Sequence, residues 1–331
     1  MTRVAVDLLG GDAGPGVVAD ALAEFLTDPG ETSVCVVGPR DLAHELLAER
    51  GLESGFDVLI ASDCVPMTAT SHETLAMVRE RSDLSSTVGI EALRTGQADA
   101  FVSIGHTGAT VAASVLGLGR IEGMGRPGLA VELPSLRGPV ILLDCGAAPH
   151  ATADDLVRFA AAGSAYASSI GINAPRVGLL SIGGERGKGD HLRKHADGAL
   201  EESFGEHYAG LVEGHDLVGE PAADVVVVDG FTGNIALKSM EGALRWSVHA
   251  MAQVYGSIEP AQQVLRTSHF LSGGALLGLS GNVVVGHGAS SAAEILSCIR
   301  RGAAMHTAGL IDHVRAALDG FNPLDSRGKP L

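Results

Sequence analysis

Basic residues are scarce in this chain, where 23 Lys and Arg stand against 39 Asp and Glu, a formal charge of −16. Binding to nucleic acid without sequence preference needs clustered Lys and Arg to displace counterions, so that class is excluded. Cysteine is scarce too. Cys35, Cys64, Cys145 and Cys298 are scattered with no CxxC pair, which removes a redox motif and any metal-ligand spacing and reads as buried structural thiols. No apolar run approaches the roughly 18–20 residues that span a bilayer. The opening Met1–Asp7 has no long apolar h-region and reaches a carboxylate at once, so it reads as a first strand and not a secretory signal. The expectation is a cytoplasmic protein. The standard nucleotide fingerprints are missing as well: there is no GxGxxG after the first strand and no GxxxxGK[ST]. A GxSxG nucleophile elbow is also absent. Dehydrogenase, kinase and hydrolase readings all lose ground.

What is present is an alternation. Continuous β-branched runs lie at 4–9, 34–38, 58–61, 100–105, 140–146, 177–183, 225–230 and 283–288, each ending in Gly or Asp or leading into them. Helical patterns lie between them at 17–26, 41–50, 87–94, 107–116, 153–169, 192–203, 235–254 and 291–314. Unalternated apolar strands require a sheet covered on both faces, and strand-then-helix order predicts parallel βαβ units. The fold class is therefore α/β, a mostly parallel doubly wound sheet in a three-layer α/β/α sandwich. With 331 residues, 46% of them apolar, the length suits one large α/β domain or two modest ones. No clear linker appears, so residues 1–331 read as a single domain. A stretch at about 245–272, helical after Pro260 and followed by a Gly-rich turn at Gly273-Gly274-Ala275, reads either as another packed helix or as a helical arm.

Ligands of open α/β sheets bind beyond the carboxyl ends of the strands. Six strand ends here combine Gly with polar residues: Asp7 with Gly10, Gly11 and Asp12; Gly105 with His106, Thr107 and Gly108; and Asp144 with Gly146. The others are Gly183 through Glu185 to Lys188 and Gly189, Asp229 with Thr232, Gly233 and Asn234, and His287 with Gly288. Glycine lets backbone N–H groups approach a ligand, and a turn that opens a helix aims those donors at negative charge. The predicted ligand is an anion, phosphate above all. Lys188 is the candidate for neutralising it. Asn234 either caps the following helix or binds an oxyanion. Thr107 and Thr232 offer hydroxyl donors, while Asp7, Asp144 and Asp229 read chiefly as loop-holding carboxylates. His287 either orients phosphate or satisfies a turn.

These motifs, in this order, resemble the PlsX-type phosphate acyltransferases. The likeness runs from Asp7-Leu8-Leu9-Gly10-Gly11-Asp12 through Gly105-His106-Thr107-Gly108-Ala109, Asp144-Cys145-Gly146-Ala147 and Gly184-Glu185…Lys188-Gly189. It continues through Asp229-Gly230-Phe231-Thr232-Gly233-Asn234 and Gly273-Gly274-Ala275 to His287-Gly288. The resemblance implies a homodimer with an isocitrate-dehydrogenase-like sandwich, moving a fatty acyl group from acyl carrier protein to inorganic phosphate. It implies no cofactor and no metal. The acyl phosphate would then serve a downstream glycerol-3-phosphate acyltransferase in phospholipid synthesis, with the enzyme cytoplasmic and at most weakly peripheral at the membrane surface. Lys188 would meet the phosphate charge and Asn234 the phosphate or the oxyanion, with Glu185 and the glycine turns around them. Three positions depart from the family, which usually has Asn at His106, at Ala148 and near Ala293. These departures leave open a catalytically weakened, ligand-binding relative, and the fold would also accommodate phosphotransacetylase-like transfer from acyl-CoA.

Overall fold

A strand with no polar face must be covered on both sides. In the computed structural model, which describes residues 1–52, 54, 56–259, 263 and 273–319, all eight anticipated runs form strands. Tertiary contacts divide the chain into two compact units, Met1–Ile121 with Ser272–His313 and Glu122–Leu271 with Val314–Leu331.

In the first unit the strands are β1 (Thr2–Asp7), β2 (Thr32–Gly38), β3 (Asp57–Ile60), β4 (Ala100–Ser103), β10 (Gly274–Leu277) and β11 (Asn282–Val285). They lie in the order β3-β2-β1-β4-β11-β10. All neighbours pair in parallel except β10 with β11. Helices α1 (Pro15–Thr27), α2 (Arg40–Ala48), α3 (Ser71–Glu80), α4 (Ser85–Arg94), α5 (Thr107–Gly117) and α9 (Ala292–Thr307) belong here. Strand alternation divides them between two faces. Phe101 packs on Gly89 of α4, while its neighbours Ala100 and Val102 pack on Gly302 of α9. The chain leaves β1 toward β2 and β3 on one side, and β4 lies on the other. The carboxyl ends of β1 and β4 therefore flank a topological switch point, where open α/β sheets bind ligands.

The second unit carries β5 (Gly128–Ser135), β6 (Gly138–Leu143), β7 (Val177–Ser181), β8 (Tyr208–Glu213) and β9 (Val225–Val227), ordered β5-β6-β9-β7-β8. Only the β5–β6 pair is antiparallel. Helices α6 (Ala153–Ser169) and α7 (His191–Phe204) pack on one another and on these strands. Because β6, β9 and β7 are adjacent and parallel, their carboxyl ends open on one edge, from which α8 (Gly230–Tyr255) departs. Beyond Glu241 no residue of α8 is buried, and Trp246, Val254 and Tyr255 are exposed. The stretch at about 245–272, expected as a helical arm or a packed helix, overlaps this half of α8, and most of its remainder lies outside the described residues.

Several elements differ from the sequence expectation. The final helix is not continuous over 291–314: it breaks at Gly309, in a left-handed conformation with φ +63°, and resumes as α10 (Leu310–Asp319). The Gly273-Gly274-Ala275 turn is only half a turn, since Gly274 already begins β10. Strand β5 escaped notice because Pro134 and Glu132 interrupt its apolar run, and β8 because it is a half-buried edge strand. Helix α3 buries only Thr74 and Val78, so its periodicity is weak, but the Thr70/Glu73 capping box was legible.

Gly163 shows how closely these layers meet. A Cβ there would lie 2.6 Å from Val225 Cγ1 on β9 and 3.3 Å from Leu143 Cδ2 on β6. Gly163→Ala should lower unfolding free energy by about 1–2 kcal/mol in urea titrations, overpacking outweighing alanine's better helix propensity. An unchanged or raised midpoint would show that α6 can retreat freely.

Candidate active site

The six glycine-bearing strand ends fall into two sets of three, one in each unit. In the first unit, Gly10 (φ +143°) lies so close to Gly105 that a Cβ would stand 2.6 Å from its Cα. Gly11 approaches Ile104 and the Gly288 carbonyl, and the Asp12 amide donates to Gly288 O at 2.6 Å. The ends of β1, β4 and β11 are thereby drawn together. Asp7 is buried beneath them, accepting from the Leu9 amide at 2.9 Å and the Ser103 hydroxyl at 2.8 Å. Burial pushes its carboxyl up to about 7, with the Ser103 hydroxyl partly opposing the shift. Ser103 carried no signal of this role in the sequence.

His106 is the N-cap of α5. Its Nδ1 accepts from the Ala109 amide at 3.2 Å, which places the ring proton on Nε2, 3.2 Å from the Ala69 carbonyl. Thr107 and Gly108 form the first turn of that helix. The imidazole thus performs the capping task that an Asn oxygen performs at such a position. His287 behaves similarly, with Nδ1 accepting from the Ala289 amide at 3.1 Å and its own amide donating to Ser290 Oγ. Its ring satisfies a turn.

In the second unit Asp144 organises the end of β6. Its Oδ1 accepts from the amides of Leu129, Gly146 and Ala147 at 2.8–2.9 Å, and its Oδ2 from Ala148 at 2.6 Å. Burial raises its carboxyl, and these four donors pull the other way. Ala148 takes part through its backbone alone, its carbonyl accepting from the Gly230 amide at 3.0 Å. Gly233 packs so tightly that any Cβ would overlap the Asp144 carbonyl oxygen. Asn234 is exposed, and its Nδ2 lies against Gly146, where a Cβ would stand 2.7 Å away. Asn234 does not cap α8. Asp229 does, accepting from the Thr232 amide at 2.9 Å, so the Asn234 amide is left for other work.

Thr232 donates its hydroxyl proton to Asp229 at 2.9 Å and accepts from Arg193. That proton is committed within the protein. Arg193 is buried and ion-paired to Asp229 and, at 3.0 Å, to Asp190. Burial alone would raise Asp229, but the Thr232 amide and hydroxyl and the Arg193 guanidinium hold its carboxyl below the ordinary value. Arg193 was not foreseen, because a lone Arg in the polar opening of α7 looks like a solvated residue. Lys188 lies in the exposed loop after β7, its Nζ 4.0 Å from Glu185 Oε2. An exposed pair that long contributes little, so the ammonium is free to turn to a bound anion. Among the described residues no group of three His, Cys, Asp or Glu is placed to hold a metal ion.

The edge in the second unit presents backbone donors, the Asn234 amide and the mobile Lys188 ammonium, and among the described residues no activated side-chain nucleophile stands there. A family described as fatty acid synthesis protein matches residues 2–313. The phosphate acyltransferase of Thermus thermophilus is 40% identical over 341 residues, covering 97% of this chain and 99% of that one. The chain belongs to the PlsX-type phosphate acyltransferase family. The phosphate acyltransferase of Heliobacterium modesticaldum is 39% identical over 314 residues, covering 90% of this chain and 92% of its own. As a member of this family the chain is an acyltransferase enzyme.

Among solved structures, a phosphotransacetylase from Streptococcus pyogenes superposes with a TM-score of 0.65 at 17% identity, over 92% of this chain and 94% of that one. A 4-hydroxythreonine-4-phosphate dehydrogenase from Klebsiella pneumoniae gives 0.53 at 15% identity, over 93% and 98%. At these identities the likeness concerns the fold alone, an α/β fold with a mostly parallel sheet and helices on both sides. No described helix of this phosphate acyltransferase family member is long and apolar enough to cross a membrane.

Two expectations follow from this geometry. The Asp7 carboxyl rises from 3.8 to about 7, so folding takes up a proton between those values and stability falls as pH rises through that window, by up to about 4 kcal/mol. Asp7→Asn keeps the shape without the proton. Urea titrations should therefore show its stability gaining on the wild type between pH 4 and pH 8; parallel curves would contradict the burial argument. Gly233→Ala should lift the first turn of α8 off Asp144, lowering the melting temperature and cutting kcat/KM by tenfold or more. Wild-type values for both would mean that the turn tolerates displacement.

Proposed function

We propose that this enzyme transfers a fatty acyl group from acyl carrier protein to inorganic phosphate, forming acyl phosphate. The observation that carries the reading is the edge formed by β6, β9 and β7, where Lys188 and the uncommitted Asn234 amide stand among glycine turns and, among the described residues, no protein nucleophile is poised. Phosphate itself is then the nucleophile. A phosphate oxygen attacks the thioester carbonyl carbon, the C–S bond breaks, and the phosphate proton passes to the departing thiolate. Lys188 offsets the phosphate charge, and the Asn234 amide donates to phosphate or to the tetrahedral oxyanion. The glycine turns at this edge line the anion site, with Asp144 and Asp229 as their supporting carboxylates and Glu185 beside Lys188.

The same reading makes acyl phosphate the substrate of a glycerol-3-phosphate acyltransferase in phospholipid synthesis. It makes the enzyme a cytoplasmic homodimer with weak peripheral membrane contact. Its formal charge of −16 repels anionic lipid and an acidic carrier alike, so both contacts depend on local basic groups.

The test is purified protein incubated with long-chain acyl-ACP and inorganic phosphate, followed for acyl phosphate. Turnover is expected. Turnover only with a short acyl-CoA would replace this reading by phosphotransacetylase-like chemistry, and none with either donor would favour the ligand-binding alternative. Lys188→Ala should lower kcat/KM at least a hundredfold with an unchanged melt, since an exposed loop lysine is not core. Wild-type turnover in that variant would remove Lys188 from the mechanism.

A further inference from the structure

The loop bearing Lys188 and the turn bearing Asn234 come from different strands, and one buried side chain touches both. Arg193 sits in the first turn of α7, with its stem against the end of the Lys188 loop. There Gly189 (φ +94°) packs so closely that a Cβ would lie 2.6 Å from Arg193 Cβ. Its Nη1 donates to Asp190 Oδ2 at 3.0 Å, and Asp190 in turn caps α7 by accepting from the Arg193 amide at 2.9 Å. Its Nη2 donates to Asp229 Oδ2 and, at 3.1 Å, to Thr232 Oγ1. One guanidinium therefore joins the capping carboxylates of two helices, Asp190 of α7 just after Lys188 and Asp229 of α8 just before the turn that carries Asn234. Arg193 and Asp229 are both buried, so this pair is shielded from the solvent that weakens the Lys188–Glu185 contact.

We propose that Arg193 is a positioning residue for acyl transfer, holding the Lys188 loop and the Asp229–Asn234 turn at the spacing that binds phosphate. The inference rests on the assignment of Lys188 and Asn234 to phosphate. Arg193 does not meet the substrate, since it is buried and its donors are directed to the Leu180 carbonyl, Asp190, Asp229 and Thr232. It acts through the planar fork that reaches two carboxylates at once, which the single ammonium of lysine cannot reproduce.

Steady-state kinetics of R193K with inorganic phosphate and a long-chain acyl-ACP, together with thermal melts, test this. The expected result is a cooperative melt with KM for phosphate raised about tenfold and KM for the donor changed less than twofold. A lowered melting temperature with both KM values and kcat at wild-type level would reduce Arg193 to a structural residue and overturn the inference. If R193K does not fold, D190N severs only the α7 leg and should also raise KM for phosphate selectively; wild-type kinetics in D190N would refute the bridging role. Wild-type turnover in Lys188→Ala would instead refute the underlying site assignment, so the two failures are distinguishable.

Discussion

The closest constraint in this structure is main chain against main chain at the carboxyl ends of the strands. Gly233 rests on the Asp144 carbonyl, and Gly10 rests on Gly105. Neither approach leaves room for a Cβ, and the elements around them are arranged to preserve it. Loops packed this way bury polar groups, which must be paired or cost free energy. Asp144 answers with four backbone donors, and Asp7 with one amide and one hydroxyl. The buried carboxylates are thus consequences of the glycine contacts, there to hold loops that have no side chains to hold them.

From this follows a division of labour at the β6–β9–β7 edge. The inner polar groups, Asp144, Asp229, Thr232 and Arg193, are saturated by one another and by backbone. The outer ones, Lys188 and Asn234, are exposed and weakly engaged. A site for a small, highly charged nucleophile gains from this arrangement. On the proposed reading, the rigid groups need not reorganise when phosphate arrives, while the mobile Lys188 ammonium can follow the charge into the transition state.

The departures from the family pattern also become intelligible. His106 caps α5 through a ring nitrogen, and Ala148 contributes only backbone atoms. Ala293 falls in the first turn of α9, which Ser291 and Glu294 already cap. Neither the His106 cap nor the Ala148 backbone bonds require an Asn side chain there.

Much of this was legible in the sequence. Continuous apolar runs specify covered strands, Gly with Asp at their ends specifies tight turns, and capping residues specify helix starts, because each depends on local sterics and local hydrogen bonds. The six strand ends and the loop-holding roles of Asp7, Asp144 and Asp229 belong to that class. Strands β5, β8 and β10 did not announce themselves, since their stability comes from neighbours across the sheet and not from their own pattern. Only the tertiary structure gave Ser103 and Arg193 their partners, 96 and 36 residues away in the chain. A contact of that range is decided by how strands order themselves in a sheet, and the residues that make it carry no local mark of it.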